Sequence, residues 1–305
     1  MPATIQGVIP VAHTAFDDGD EIDWPSIRRQ IDWAYEVGAD GFATGMVTEL
    51  LRLTAAEREQ LTRELGAMNE GRGAFVAGVG AESTRQAVQF AAAARDAGAA
   101  AVMAIPPISG AINDGHLTDY FTALLDVGLP VIVQDASSYV GRPIPLDVCR
   151  DLLERFGADR VLFKPEAAPL APNVSKLRDA TGGQARIFEG SGGISLIDSY
   201  RRGIAGTMPG MEFLEGIVAV WRALKAGDDA RAYRVYFPIC ALVAIQLQAG
   251  LDGFLAIEKH VLQRRGLFAT NRRRRPYNWD PDAETLAEVE RLLSLLDEAV
   301  KTDLS

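Results

Sequence analysis

The strongest constraint on what this 305-residue chain can fold into is an alternation between two hydrophobic periods. Short, nearly continuous apolar runs recur at Gly7–Thr14, Gly41–Thr44, Ala74–Val79, Ala101–Ile105, Val131–Gln134, Val161–Lys164, Arg186–Glu189 and Gly206–Met208. Runs of that length and character suit parallel strands buried on both faces. Longer amphipathic stretches lie between them. Trp24–Val37 puts Ile27, Ile31, Ala34 and Tyr35 on one helical face, and Thr84–Ala97, His116–Val127 and Pro145–Phe156 repeat the pattern. Thr54-Ala55-Ala56-Glu57 has the spacing of a capping box. Gly38, Gly98 and Gly128 each follow a helical stretch and precede a run, where a left-handed C-cap belongs.

Strand, loop, helix and glycine repeated eight times describe a (β/α)8 TIM barrel. An open doubly wound sheet would place a glycine-rich phosphate loop after the first strand, but Ala15-Phe16-Asp17-Asp18 follow Thr14. Beyond Ala226 the strand signals stop. Asp228–Ala249, Gly253–Gly266 and Asp282–Val300 read as additional C-terminal helices. The expectation is a barrel over residues 1–226 and a helical appendage of the same domain over 227–305, since no Pro/Gly/Ser linker separates them.

The net charge of −10 argues against nucleic acid or an anionic membrane as partner, because both call for a basic face. Cys149 and Cys240 lie far apart with no Cys-x-x-Cys or Cys/His grouping, so they read as small core residues in a reducing compartment. Met1 to Gly7 lacks the basic-then-apolar pattern of a signal peptide, and no apolar run reaches the roughly 18 residues of a membrane span. A cytoplasmic protein is expected. His13, His116 and His260 are scattered without ligand spacing, so no metal and no cofactor is expected. Arg272–Arg275 reads as a solvated or subunit-interface patch.

Catalytic groups of such barrels sit at the C-terminal ends of the strands. The sixth run ends in Lys164, the first lysine in a chain that carries nearly all its positive charge on arginine. Burial favours the neutral amine, which is the form a carbonyl nucleophile needs. The competing reading is a lysine paired with Glu166 or reaching to solvent. The loop Gly45-Met46-Val47-Thr48-Glu49 can present consecutive N–H groups to a carboxylate, or it is an ordinary turn capped by Thr48. Gly190 and Ser191 after the seventh run, and Met208 after the eighth, sit where a ligand can approach closely or where the chain merely turns. Gln134 can orient a substrate hydroxyl. Asp135 reads as a structural cap more than as an acid.

Together these residues resemble the dihydrodipicolinate synthase/N-acetylneuraminate lyase family of class I aldolases and dehydratases. The resemblance runs from about Gly7 to Gly266. It rests on Gly7-Val8-Ile9-Pro10, the Gly45–Glu49 loop, Ala77-Gly78-Val79-Gly80, Leu129-Pro130-Val131-Ile132 and Phe163-Lys164. It implies that Lys164 forms a Schiff base with a small 2-oxo acid and that the chain is a homo-oligomer, a tetramer. The family pattern Gly-Thr-Thr-Gly-Glu is replaced by Gly45-Met46-Val47-Thr48-Glu49, its strand-five tyrosine by Gln134, and a second tyrosine by Ile108. Those departures argue against synthase or sialic-acid lyase chemistry. The segments around Gln134, Phe163–Glu166 and Gly206–Gly210 look most like the branch of L-2-keto-3-deoxyarabonate dehydratases. For a dehydratase, N–H groups of Val47 and Thr48 would hold the C1 carboxylate, and Glu166, Thr48, Tyr139 or a water would serve as the acid. An aldolase that releases pyruvate and a non-catalytic barrel that binds a 2-oxo acid are the alternatives.

Overall fold

A computed structural model describes residues 5–301. Its strands are β1 (Gly7–Val8), β2 (Gly41–Ala43), β3 (Ala74–Gly78), β4 (Ala101–Ala104), β5 (Val131–Asp135), β6 (Val161–Pro165), β7 (Arg186–Glu189) and β8 (Gly206–Thr207). All pair in parallel, in the order β1-β8-β7-β6-β5-β4-β3-β2. The barrel closes between the two ends of that order. The Ala43 N–H donates to the Pro10 carbonyl and the Ala12 N–H donates to the Ala43 carbonyl, each at 2.8 Å. β1 is much shorter than the apolar run that contains it. Pro10 has no N–H to continue the ladder, and beyond it only single bonds remain, such as Val11 N–H to the Pro209 carbonyl at 2.7 Å.

The barrel helices are α1 (Trp24–Val37), α2 (Ala55–Asn69), α3 (Thr84–Asp96), α4 (Asp114–Leu125), α5 (Leu146–Phe156), α6 (Leu170–Ala180), α7 (Leu196–Arg201) and α8 (Leu214–Ala226). The capping box at Thr54 and Glu57 forms as its spacing requires. α4 begins two residues before its hydrophobic period does, because the Asn113 side chain accepts the His116 N–H at 2.9 Å. Gly38, Gly98 and Gly128 have φ of 103°, 80° and 104°, the left-handed region where a Cβ is costly. Three more helices follow: α9 (Asp229–Leu247), α10 (Gly250–Arg264) and α11 (Ala283–Lys301).

Strand alternation divides the core in two. Ile9, Val76, Met103, Ile132, Leu162 and Phe188 fill the barrel interior. Their neighbours Val131, Val133, Val161 and Phe163 face outward into a larger cluster beneath the helices. That outer cluster continues without a break into Val235, Ile239, Leu242, Leu293 and Leu296 of α9 and α11.

Within Tyr236–Leu247 the Ile239, Leu242 and Val243 side chains are fully buried within the chain, while Phe237 and Leu247 stay exposed. One sequence expectation changes in part. The arginine run, read as a solvated or subunit-interface patch, divides: Arg272 and Arg275 are exposed, while Arg273 is buried and Arg274 half-buried. Arg273 is buried between Asp280 and the Tyr277 ring, and Arg274 pairs with Glu57 at 2.7 Å. Four consecutive like charges suggest repulsion into water, but acidic side chains and carbonyls from distant segments meet Arg273 and Arg274.

Candidate active site

Residue parity on β5 and β6 builds the site. Ile132 and Leu162 point into the barrel, so two residues later Gln134 and Lys164 do so as well, at the C-terminal mouth. The two are direct register partners. Lys164 is 3% exposed, and its Nζ lies 2.9 Å from Glu166 Oε1. Gln134 Nε2 donates to Glu166 Oε2 at 2.5 Å. The Glu166 backbone is fixed by its N–H on the Asp135 carbonyl at 2.7 Å. Burial pushes the Glu166 carboxyl up from its ordinary value, while Lys164 and the Gln134 amide pull it back.

These three side chains face one pocket, shared with Val11, Met46, Val47, Tyr139, Gly190 and Met208. Gly190 is required there: a side chain in its place would collide with Lys164 Cε and the Glu166 carboxyl. Six of the eight residues singled out from the sequence therefore meet. Thr48 and Ser191 do not line this pocket. The Thr48 hydroxyl accepts from the Gly45 N–H and donates to the Ala12 carbonyl at 2.6 Å. Its own N–H donates to the Gly45 carbonyl at 3.1 Å, leaving the Thr48 donors engaged within the turn. Ser191 is tied to Glu189 and to the Ser195 N–H. Asp135 accepts N–H groups of Ser137 and Ile144, which is the work of a cap.

The far wall of the pocket comes from α10, which the sequence reading did not connect to the site. Leu251, Phe254 and Glu258 recur at helical spacing and all three line the pocket. Behind Glu258 is a buried polar cluster. His13 Nε2 lies 2.7 Å from Glu258 Oε2, and Glu212 and Gln246 stand beside them, bonded at 3.0 Å. One ligand-type atom from each of His13, Glu212 and Glu258 lies within 4.8 Å of the others. A divalent ion holds such ligands at about 2.0–2.2 Å and so keeps them about 3 Å or more apart. The 2.7 Å contact is instead a hydrogen bond.

Burial sets the protonation of that cluster. It lowers the His13 imidazole to about 4 and raises Glu258 to about 8. Glu212 also rises to about 8, by burial and then by the Glu258 charge. The His13–Glu258 contact therefore joins neutral groups near pH 7. Tyr139, stacked edge-on against Phe254 at 6.0 Å, has its phenol pushed up by burial and by Glu166, Glu258 and Glu189. Next along α10, Lys259 is fully buried. It bonds Glu49 and the Arg272 carbonyl and lies over the Phe16 ring. Sequence position alone carried no signal for this cluster, because its members come from four separate segments and each has a bland local context.

Residues 4–295 match the model of the dihydrodipicolinate synthetase family. L-2-keto-3-deoxyarabonate dehydratase of Azospirillum brasilense is 29% identical over 303 residues, covering 94% of both chains. N-acetylneuraminate lyase of Salmonella paratyphi A is 29% identical over 261 residues, covering 82% of this chain and 84% of its own. The crystal structure of dihydrodipicolinate synthase from Rhodopseudomonas palustris superposes with a TM-score of 0.85 at 28% identity, over 95% of this chain and 97% of that one. Among the described residues no helix is long and apolar enough to cross a membrane.

Proposed function

We propose a dehydratase function from one premise: the chain belongs to the dihydrodipicolinate synthetase family, whose members are lyases. The reaction we infer is loss of water from a 2-keto-3-deoxy sugar acid, with L-2-keto-3-deoxyarabonate as the first candidate. The observation that carries the reading is a buried lysine at the end of β6, lining the pocket with a carboxyl group 2.9 Å away. The Lys164 amine adds to the C2 ketone, and the carbinolamine loses water to give an iminium. The iminium acidifies C3, and Glu166, held on Lys164 and Gln134, is placed to take that proton. Met46 and Val47 bring the turn after β2 to the pocket wall, where a main-chain N–H can meet the C1 carboxylate.

Dehydration is favoured over aldol cleavage by Gln134. An aldolase must deprotonate the C4 hydroxyl and a dehydratase must protonate it, and an amide in the strand-five position offers no base. The experiment is a turnover screen of C5 and C6 2-keto-3-deoxy acids with product identification. Water loss without pyruvate release supports the reading; pyruvate and an aldehyde as products would replace it with the aldolase. We also infer a homo-oligomer, a tetramer, in the cytoplasm. A monomer by sedimentation at micromolar concentration would contradict that assembly.

A further inference from the structure

Eliminating a β-hydroxyl needs two proton carriers, a base for C3 and an acid for the departing oxygen. Four residues around the pocket carry titratable protons: Tyr139, Lys164, Glu166 and Glu258. Lys164 is consumed as the iminium. Glu166 is bonded to Lys164 and is the group nearest the acidified carbon. The Tyr139 phenol sits among three glutamates that disfavour its ionisation. Glu258 is left, on a different wall from Lys164 and assigned no part in the reaction so far.

We propose that Glu258 is the general acid of the dehydration, giving its carboxyl proton to the leaving C4 hydroxyl while Glu166 takes the proton from C3. The proposal rests on the dehydratase reading above and supplies the group that reading lacks. Two features of the fold suit Glu258 to the task. It is flanked on α10 by Leu251 and Phe254, which make that wall apolar. It is backed by His13 at 2.7 Å and by the Glu212 carboxyl, a buried cluster from which its proton can be replaced from inside. Both carboxyls press against the chain at Gly210, where any side chain would collide with them. Glycine in the loop after β8 is therefore needed to bring this pair up to the pocket. The two carboxyl groups of the pocket differ in their immediate partners, Glu166 on the Lys164 amine and Glu258 on the His13 imidazole, which allows them different parts in one reaction.

The step balances. The C3–H electron pair forms the enamine C2=C3 bond and the proton goes to Glu166. The enamine then pushes electrons to C3=C4, the C4–O bond breaks, and the oxygen leaves as water with the Glu258 proton. Hydrolysis of the regenerated iminium releases the 2-oxo-3-enoic acid and Lys164. Glu166 returns its proton to water and Glu258 takes one back, so the net change is substrate to enoic acid plus water.

The test uses the full chain and E258Q, with E166Q beside them. Three readouts are taken: borohydride trapping of pyruvate, exchange of the pyruvate methyl protons with D2O, and dehydration of 2-keto-3-deoxyarabonate. Trapping and exchange need the lysine and the base only. E258Q should keep both within about twofold and lose dehydration by ~10²–10⁴-fold, whereas E166Q should lose exchange and dehydration together. Dehydration by E258Q within about threefold of wild type would overturn the proposal. So would loss of exchange in E258Q, which marks a structural role, and so would one equivalent of divalent metal in the purified wild type that E212Q lacks. Should the wild type fail to trap pyruvate, the Schiff-base reading falls and this proposal with it. Trapping by the wild type without dehydration of any C5 or C6 acid overturns the acid role and leaves the Schiff base standing.

Discussion

Lys164 and Lys259 are the two buried lysines of this chain, and each is paired with a glutamate. Their surroundings differ in one respect. Lys259 has every direction filled: Glu49 and the Arg272 carbonyl take its protons, and Phe16 covers it at 4.5 Å. Lys164 has Glu166 on one side and open pocket on the other. Burial lowers Lys259 to about 8, which favours its neutral amine. A shifted amine is no nucleophile without room for the carbonyl to approach, and Lys259 borders none of the space that Lys164 does. The two lysines therefore differ in access: Lys164 borders open pocket and Lys259 does not.

The largest effect is expected from trapping. Pyruvate and borohydride should add one reduced pyruvyl group per chain, on the peptide that contains Lys164, and K164R should abolish both the adduct and turnover. An adduct on Lys259 would break the comparison outright, since it would mean that the clasp around Glu49 opens readily in solution.

The second expectation is in stability. K259M leaves the Glu49 carboxylate buried without its main counter-charge, and breaking such a pair costs about 3–5 kcal/mol. Urea unfolding should show that loss, while the folded fraction of K259M still traps pyruvate on Lys164. K259M/E49L should recover most of it, because an apolar pair removes both charges together. A K259M protein as stable as wild type would show that Arg52, at 3.5 Å, and the Arg274 N–H suffice for Glu49.

The contrast also marks what a sequence can reveal. The barrel was legible because strand and helix periods impose themselves over many residues, and Lys164 because a cation ends an apolar strand at a known end of the fold. Gln134 followed from the same strand logic. Thr48 stayed open because its residue type fits both a ligand site and a turn, and in the fold its hydroxyl bonds to Gly45 and Ala12. Glu258 and His13 were invisible: α10 returns over the barrel mouth after some two hundred residues, and no local pattern announces which barrel loop a distant helix will meet.

pH separates the two polar clusters next. The Glu212 and Glu258 carboxyls hold protons up to about 8 in the fold but release them near the ordinary carboxyl value of 4.5 in the open chain. The folded state thus binds more protons across that window, and their contribution to stability is lost as pH rises from about 4.5 to about 8. Lys259 has the opposite sign. Its amine binds a proton more weakly folded than unfolded, so between about 8 and the ordinary lysine value of 10.5 its burial penalty lifts as pH rises. E258Q should flatten the first slope and leave the second. K259M should do the reverse, read as urea midpoints from pH 5 to 10. Parallel shifts of both slopes in either variant would mean that the clusters titrate as one unit.

The smallest effect should come from Tyr139, and its smallness is informative. Tyr139 is the one phenol in this pocket. Burial and three glutamates hold its proton tightly, so it is a poor donor to a leaving hydroxyl. Y139F keeps the ring, and with it the edge-to-face contact with Phe254. Dehydration should therefore stay within about tenfold of wild type, below the ~10²–10⁴-fold that loss of a general acid costs. Trapping on Lys164 should not change at all. A loss of two orders or more in Y139F, with trapping intact and E258Q active, would move the acid from α10 to the loop after β5. It would also return this pocket to tyrosine chemistry by a residue four positions past the strand end.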